Sequence, residues 1–231
     1  MLVSAIAAVR DSVVLVLREP SGNGLAALGA VGTASYIGSD LFLTAAHLFG
    51  APDLSPNEMI SVGVVPVRDR KVTSLGPAIL EFLDEHRDLA LLRVAGVADS
   101  LPAARVSVGI EPDGRSVFCY GFVNPTIVVD EGAIVLDESS NKRASTAIVG
   151  GRRFDYGKAY ELDGATYPGE SGGPVFRQHD QVVVAVITHS RMAVVPASRF
   201  EPLRLVRGPT VAMPLESLEA ELKSRGVVPV P

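Results

Sequence analysis

Tyr167-Pro168-Gly169-Glu170-Ser171-Gly172-Gly173-Pro174-Val175 sets one serine among three glycines, two positions before it and one and two positions after it. Glycine adopts backbone angles closed to other residues and lets another backbone approach closely. A serine hydroxyl is a weak nucleophile until a base takes its proton and N–H groups meet the charge that develops on the attacked carbonyl oxygen. This stretch offers such N–H groups at Gly169 and Ser171. Read alone, it is also the pattern of a Gly/Pro-rich hairpin turn with an incidental serine.

The base and its partner decide between the readings. The same stretch fits a Gly-x-Ser-x-Gly elbow, whose enzymes run Ser, acid, His along the chain, whereas two-barrel hydrolases run His, Asp, Ser. Upstream, Leu41-Phe42-Leu43-Thr44-Ala45-Ala46-His47 is an apolar run ending in a histidine, and His86-Arg87-Asp88-Leu89-Ala90-Leu91-Leu92 sets an aspartate before another. Downstream only His179 and His189 remain, with too little chain for the second half of an elbow hydrolase. An esterase with elbow chemistry is therefore disfavoured. The order is His47, Asp88, Ser171: Ser171 attacks a carbonyl, His47 takes and returns the proton, and Asp88 holds the imidazole tautomer.

With these three motifs, Thr44-Ala45-Ala46-His47, Asp88-Leu89-Ala90-Leu91-Leu92 and Gly169-Glu170-Ser171-Gly172-Gly173-Pro174, the chain resembles the chymotrypsin-fold serine peptidases. Within them it is similar to the disulfide-free bacterial branch with HtrA-like and glutamyl-endopeptidase-like members. The resemblance runs from about Ser12 to Met213. It implies an all-β fold of two six-stranded Greek-key β-barrels with a C-terminal helix. Residues 1–97 would carry His47 and Asp88, residues 98–231 Ser171, with the site in the cleft between them. It also implies a serine endopeptidase working through an acyl-enzyme, an oxyanion hole from the N–H groups of Gly169 and Ser171, a protein or peptide substrate, and no cofactor or metal. Control by a regulatory partner or attached domain is a further expectation, with a catalytically silent binding module as the alternative.

The family places the pocket base six residues before the serine, here Ala165, with Thr166 next and the wall on Thr188, His189 and Ser190. An uncharged base argues against Arg or Lys at P1, though Asp163 could serve if the loop shifts by two. Thr166 with His189 echoes the threonine or serine and the histidine with which glutamyl endopeptidases hold a P1 carboxylate, although His189 stands about two positions late. The expectation is a small, apolar or acidic P1. Glu170 departs from the family's usual aspartate or asparagine, and no activation sequence precedes the first strand. Trypsinogen-like maturation is therefore not expected.

Composition sets the outer bounds. The 231 residues are 47% apolar, enough for a substantial core, and 22 glycines, 16 prolines and many short valine-rich runs favour strands and turns. A net charge of −5 argues against nucleic acid or an anionic membrane surface as main partner. Cys119 is the only cysteine, so no internal disulfide forms, and it reads as a small core residue. The apolar run Met1–Val9 lacks a basic start and breaks at Arg10-Asp11, so the expected location is cytoplasmic, or secreted or periplasmic if a signal peptide has been removed. His86 reads as a surface residue, without further ligands at metal spacing.

Strands are expected at 12–17, 32–38, 41–45, 60–67, 72–80, 89–94, 115–122, 131–136, 144–149, 175–176, 181–187 and 211–214, and a helix at 215–225. Residues 20–24, 51–57, 111–114, 139–143 and 150–158 read as turns or surface loops, 98–104 as the connection between halves, and 227–231 as the start of a linker.

Overall fold

The computed structural model describes residues 9–19, 29–49, 59–64, 73–97, 100–111, 116–123, 130–136, 139–143, 146–149, 152–155, 159–162, 166–196 and 203–231. The turns expected at 20–24 and 51–57, most of that at 111–114, and the pocket-base position Ala165 lie outside these residues.

The first half contributes β1 (Val13–Glu19), β2 (Gly29–Gly38), β3 (Leu41–Thr44), β4 (Met59–Val64), β5 (Thr73–Asp84) and β6 (Leu89–Arg93). They close into an antiparallel barrel in the order β1-β2-β3-β6-β5-β4. The unbroken apolar runs of β1, β3 and β6 have a physical reason: these strands are buried on both faces. Val14, Val16, Ala34, Tyr36, Phe42, Ala90 and Leu92 pack into a cluster confined to this half. The alternate residues Val13, Leu15, Leu17, Leu41, Leu43, Leu89 and Leu91 join Phe118, Tyr120, Phe176, Val183 and Met213 in a cluster shared with the second half. One periodicity of two thus builds both the barrel and its union with its neighbour.

The second half contributes β7 (Val117–Val123), β8 (Asp130–Leu136), β9 (Ser139–Arg143), β10 (Thr146–Val149), β11 (Arg152–Asp155), β12 (Ala159–Leu162), β13 (Pro174–Arg177), β14 (Val182–Pro196) and β15 (Leu203–Pro214). Seven form one sheet in the order β8-β7-β13-β14-β15-β12-β9, one strand more than a six-stranded barrel holds, and β10 and β11 pair as a separate ribbon. The fold is the expected all-β one. Its details differ from the sequence reading where polar segments pair through the main chain. Residues 139–143 are a strand against β12, not an exposed loop. Within the expected loop 150–158, β11 pairs with β10. β12 was not anticipated, although Tyr160 and Leu162 are buried on it.

The C-terminal helix is shorter than expected, a 3-10 turn at Glu216–Leu218 leading into Glu219–Ser224. Leu215, Leu218 and Leu222 enter the shared core. Gly226, at φ +82°, ends it in the left-handed conformation that glycine tolerates. The following tail docks instead of leaving as a linker: Val227 is buried and the Val230 N–H donates to Val106 O at 2.8 Å. Among the described residues no helix is long and apolar enough to cross a membrane.

Candidate active site

Strand register brings the histidine and the aspartate together. In the β3–β6 pair Thr44 stands opposite Ala90. The chain three residues beyond Thr44 and the chain two residues before Ala90 therefore leave the sheet at the same end. His47 sits there in the 3-10 turn Ala46–Phe49. Asp88 closes the turn before β6, fully buried and at φ +54°. Its two oxygens grip one residue: Oδ1 accepts the His47 backbone N–H at 2.6 Å, and Oδ2 lies 2.8 Å from His47 Nδ1. An ionised carboxylate only accepts, so the shared proton belongs to Nδ1, and Nε2 presents its lone pair. The imidazole is 10% exposed. It is therefore held by a buried partner while still touching solvent.

The serine loop is strapped to this same barrel edge. Gly172, at φ +83°, lies so close that a Cβ there would stand 2.1 Å from Thr44 Oγ1 and 3.0 Å from the Ala45 nitrogen. Across the loop, peptide planes are fixed one after another. Glu170 N–H donates to Tyr167 O (3.1 Å), Gly172 N–H to Ile187 O (2.8 Å) and Gly173 N–H to Glu170 O (2.8 Å), while Ser171 O accepts from Thr33 N–H (2.8 Å). Among the described residues no acceptor takes the N–H of Gly169 or of Ser171. These are the two donors expected to form the oxyanion hole. The Ser171 hydroxyl makes a long bond to Thr188 O, 3.4 Å, and among the described residues none to His47. Rotation about one side-chain bond changes that partner, and such bonds are commonly long before substrate arrives.

Glu170 is fully buried beneath the loop. Its Oε2 accepts the Tyr167 N–H at 2.6 Å, and its stem lies on Gly121, where a Cβ would come within 3.2 Å of Glu170 Cγ. The extra methylene relative to aspartate lets the carboxylate reach back and clasp its own loop. The nearby Cys119 thiol is pushed far up, first by burial and then by the Glu170 charge, which fits a core residue and not a reactive thiol.

Of the pocket residues, Thr166 and Ser190 meet. The Thr166 N–H donates to Ser190 Oγ at 2.9 Å, the two hydroxyls lie 2.5 Å apart, and Ser190 Oγ donates to Thr166 O at 3.1 Å. Thr188 and His189 form a second pair. The Thr188 hydroxyl gives its only proton to Val211 O (3.1 Å), so the 2.9 Å contact with His189 Nδ1 is donated by the imidazole. Thr188 is buried, while His189 and Ser190 keep partial exposure. His86 is exposed in the turn before Asp88.

A family model described as the trypsin-like peptidase domain matches residues 32–186, two thirds of the chain, from β2 to β14, a span that contains His47, Asp88 and Ser171. The chain belongs to the trypsin-like peptidases. Solved structures of the same fold include the active form of the Rv3671c protease of M. tuberculosis (TM-score 0.64, 17% identity, covering 98% of this chain and 86% of that one). The MamO protease domain from Magnetospirillum magneticum gives TM-score 0.63 and 18% identity over 93% of this chain and 97% of that one. The HtrA-type protease AlgW with a decapeptide gives 0.64 and 18% over 97% and 67%. A comparison with curated proteins found no match.

Within this trypsin-like peptidase, the sequence reading missed Thr33. This fully buried residue of β2 touches the loop bearing Ser171 twice, once through its N–H and once through its hydroxyl, which donates to Gly169 O at 2.7 Å. The only signal for it was a hydroxyl residue beside Gly32, in a strand that also carries Ser35 and Tyr36. Its partner lies 136 residues away.

Proposed function

We propose that the chain is a serine endopeptidase in which His47, Asp88 and Ser171 cleave peptide bonds through an acyl-enzyme. The observation that carries the reading is the double grip of Asp88 on His47, which leaves the imidazole's Nε2 clear of the carboxylate, while Gly172 of the serine loop abuts Thr44 and Ala45 just before the histidine. A base in that tautomer can take the serine proton as Oγ attacks, then return it to the leaving amine. The negative oxygen formed on attack would enter between the N–H groups of Gly169 and Ser171, whose hydrogens are not spent on protein acceptors among the described residues. AlgW, of the same fold, has been solved with peptides. An extended peptide is accordingly the substrate class.

For P1 the reading is a small, apolar or acidic residue. Thr166, Thr188 and Ser190 bring hydroxyls and no negative charge to the wall, and His189 would add a group that carries positive charge when protonated. A peptide library digested with wild type and with Ser171→Ala tests both levels. Cleavage lost in the variant, with small, apolar or acidic residues at P1, is expected. Cleavage dominated by Arg or Lys at P1 would remove the specificity reading, and cleavage equal in the two proteins would remove the peptidase itself. The long Ser171–Thr188 bond is the one observation favouring a catalytically silent binding module. On that reading peptides bind wild type but leave uncut.

A further inference from the structure

Resting on the peptidase reading, we infer that Thr33 is a positioning residue: its hydroxyl, reaching across from the histidine-bearing barrel, orients the peptide plane that aims the Gly169 N–H into the oxyanion hole. A trans peptide is planar, so fixing its carbonyl fixes the plane and constrains how its neighbour can turn. From 169 to 172 every plane is anchored, but unequally. The 170–171 plane is set by Glu170 O accepting from Gly173, which leaves Ser171 N–H open on the opposite side. The 171–172 plane is held at both ends, by Thr33 N–H and by Ile187 O. The 169–170 plane has a main-chain bond of 3.1 Å at one end and the Thr33 hydroxyl, at 2.7 Å, at the other. Gly169, at φ +102°, joins this plane to the preceding 168–169 plane, which carries its own N–H. Glycine has no Cβ to resist rotation there. The direction of the Gly169 N–H therefore depends on the anchor supplied by Thr33.

The hydroxyl is itself aimed. Thr33 Oγ1 also lies 3.2 Å from the Phe122 nitrogen of β7, which can only donate to it. Its single proton must then go to Gly169 O. Thr33 O in turn accepts from Thr44 Oγ1 at 2.7 Å, three residues before His47. One residue, through its hydroxyl and its carbonyl, thus ties the sheet of the second half, the nucleophile loop and the strand leading to the base.

Three variants test this by kcat, KM, the rate of fluorophosphonate labelling and thermal melting. Thr33→Val keeps shape and loses the hydroxyl. Its kcat and labelling rate are expected to fall ~10–100-fold with KM within about threefold, a fraction of what removing an oxyanion donor costs. Thr33→Ser, which restores the hydroxyl, is expected to recover most of both rates. If Thr33→Val does not fold, Thr33→Cys, with a weak S–H donor, takes its place and is expected to fall between Val and Ser. A lowered melting temperature with kcat and labelling unchanged in Val or Cys, or a Ser variant as slow as Val, would overturn the role of the hydroxyl. Failure of wild type to label or to cleave would instead overturn the peptidase reading, so the two failures are distinct.

Discussion

Replacing Asp88 by asparagine separates the tautomer of His47 from its position. The two side chains have the same shape, and the carbonyl oxygen of the introduced amide can keep the 2.6 Å bond from the His47 backbone N–H. The other arm changes sign. Where Oδ2 accepts from Nδ1 at 2.8 Å, an amide NH2 would donate, forcing the ring proton onto Nε2. A protonated Nε2 in the neutral ring cannot take the serine proton. The same exchange in the template serine-protease triad costs ~10⁴ in kcat, which is ~5 kcal/mol of transition-state stabilisation. Stability should suffer far less. Two charge-assisted bonds become neutral ones, a difference of ~2 kcal/mol, or ~4–8 °C in melting temperature for a chain of this size. The assay pairs steady-state cleavage of a peptide substrate with a thermal melt. A variant within about tenfold of wild type in kcat, with its fold intact, would refute the idea that Asp88 works by fixing the imidazole tautomer.

Gly172→Ala forces a side chain onto φ +83° and into Thr44 Oγ1 and Thr33 O at 2.1 and 2.3 Å. A loss of ~2–5 kcal/mol in denaturant unfolding and ~100-fold in cleavage is expected as the loop shifts. Asp180 is held below the usual carboxylate range, chiefly by its hydrogen bonds from Arg177, so its contribution is present above the ordinary aspartate range and is lost as pH falls through the lowered value. Melting temperature against pH should fall on the acid side in wild type, and Arg177→Ala should flatten that limb while lowering stability near neutrality, since it also removes the Arg177 ion pair of the buried Glu111. Cys119, fully buried with its thiol pushed far up, should resist a disulfide-exchange reagent at pH 8 until denaturant is added. Rapid native labelling would contradict the core assignment.

The candidate triad was legible as a pattern because each member stands beside a local signal. His47 follows the apolar run Leu41-Phe42-Leu43, Asp88 precedes the run Leu89-Ala90-Leu91-Leu92, and Ser171 lies among glycines whose backbone angles the structure uses. Strands buried on both faces, such as Leu41–Thr44 and Leu89–Arg93, announce themselves by unbroken apolar runs. β9 and β11 did not, because Ser139-Ser140-Asn141-Lys142-Arg143 and Arg152-Arg153-Phe154-Asp155 pair through main-chain groups that no side-chain pattern reports. β12 hid for a related reason. Tyr160 and Glu161 look polar in sequence, yet both are buried, and the tyrosine hydroxyl accepts the Glu111 N–H at 2.7 Å. Thr33 could not be singled out by local reasoning, since its importance exists only once two halves of the chain meet. Glu170 stood out as a departure, but what it grips became visible only with the curvature of its own loop.

The most direct measurement is covalent capture. Wild type treated with a fluorophosphonate, digested with a second protease and mapped by mass spectrometry should carry one adduct, on Ser171, and Ser171→Ala and His47→Ala should carry none at the same exposure. Native protein that stays unlabelled, or that labels equally well at another residue in all three proteins, would contradict nucleophilic catalysis at this site.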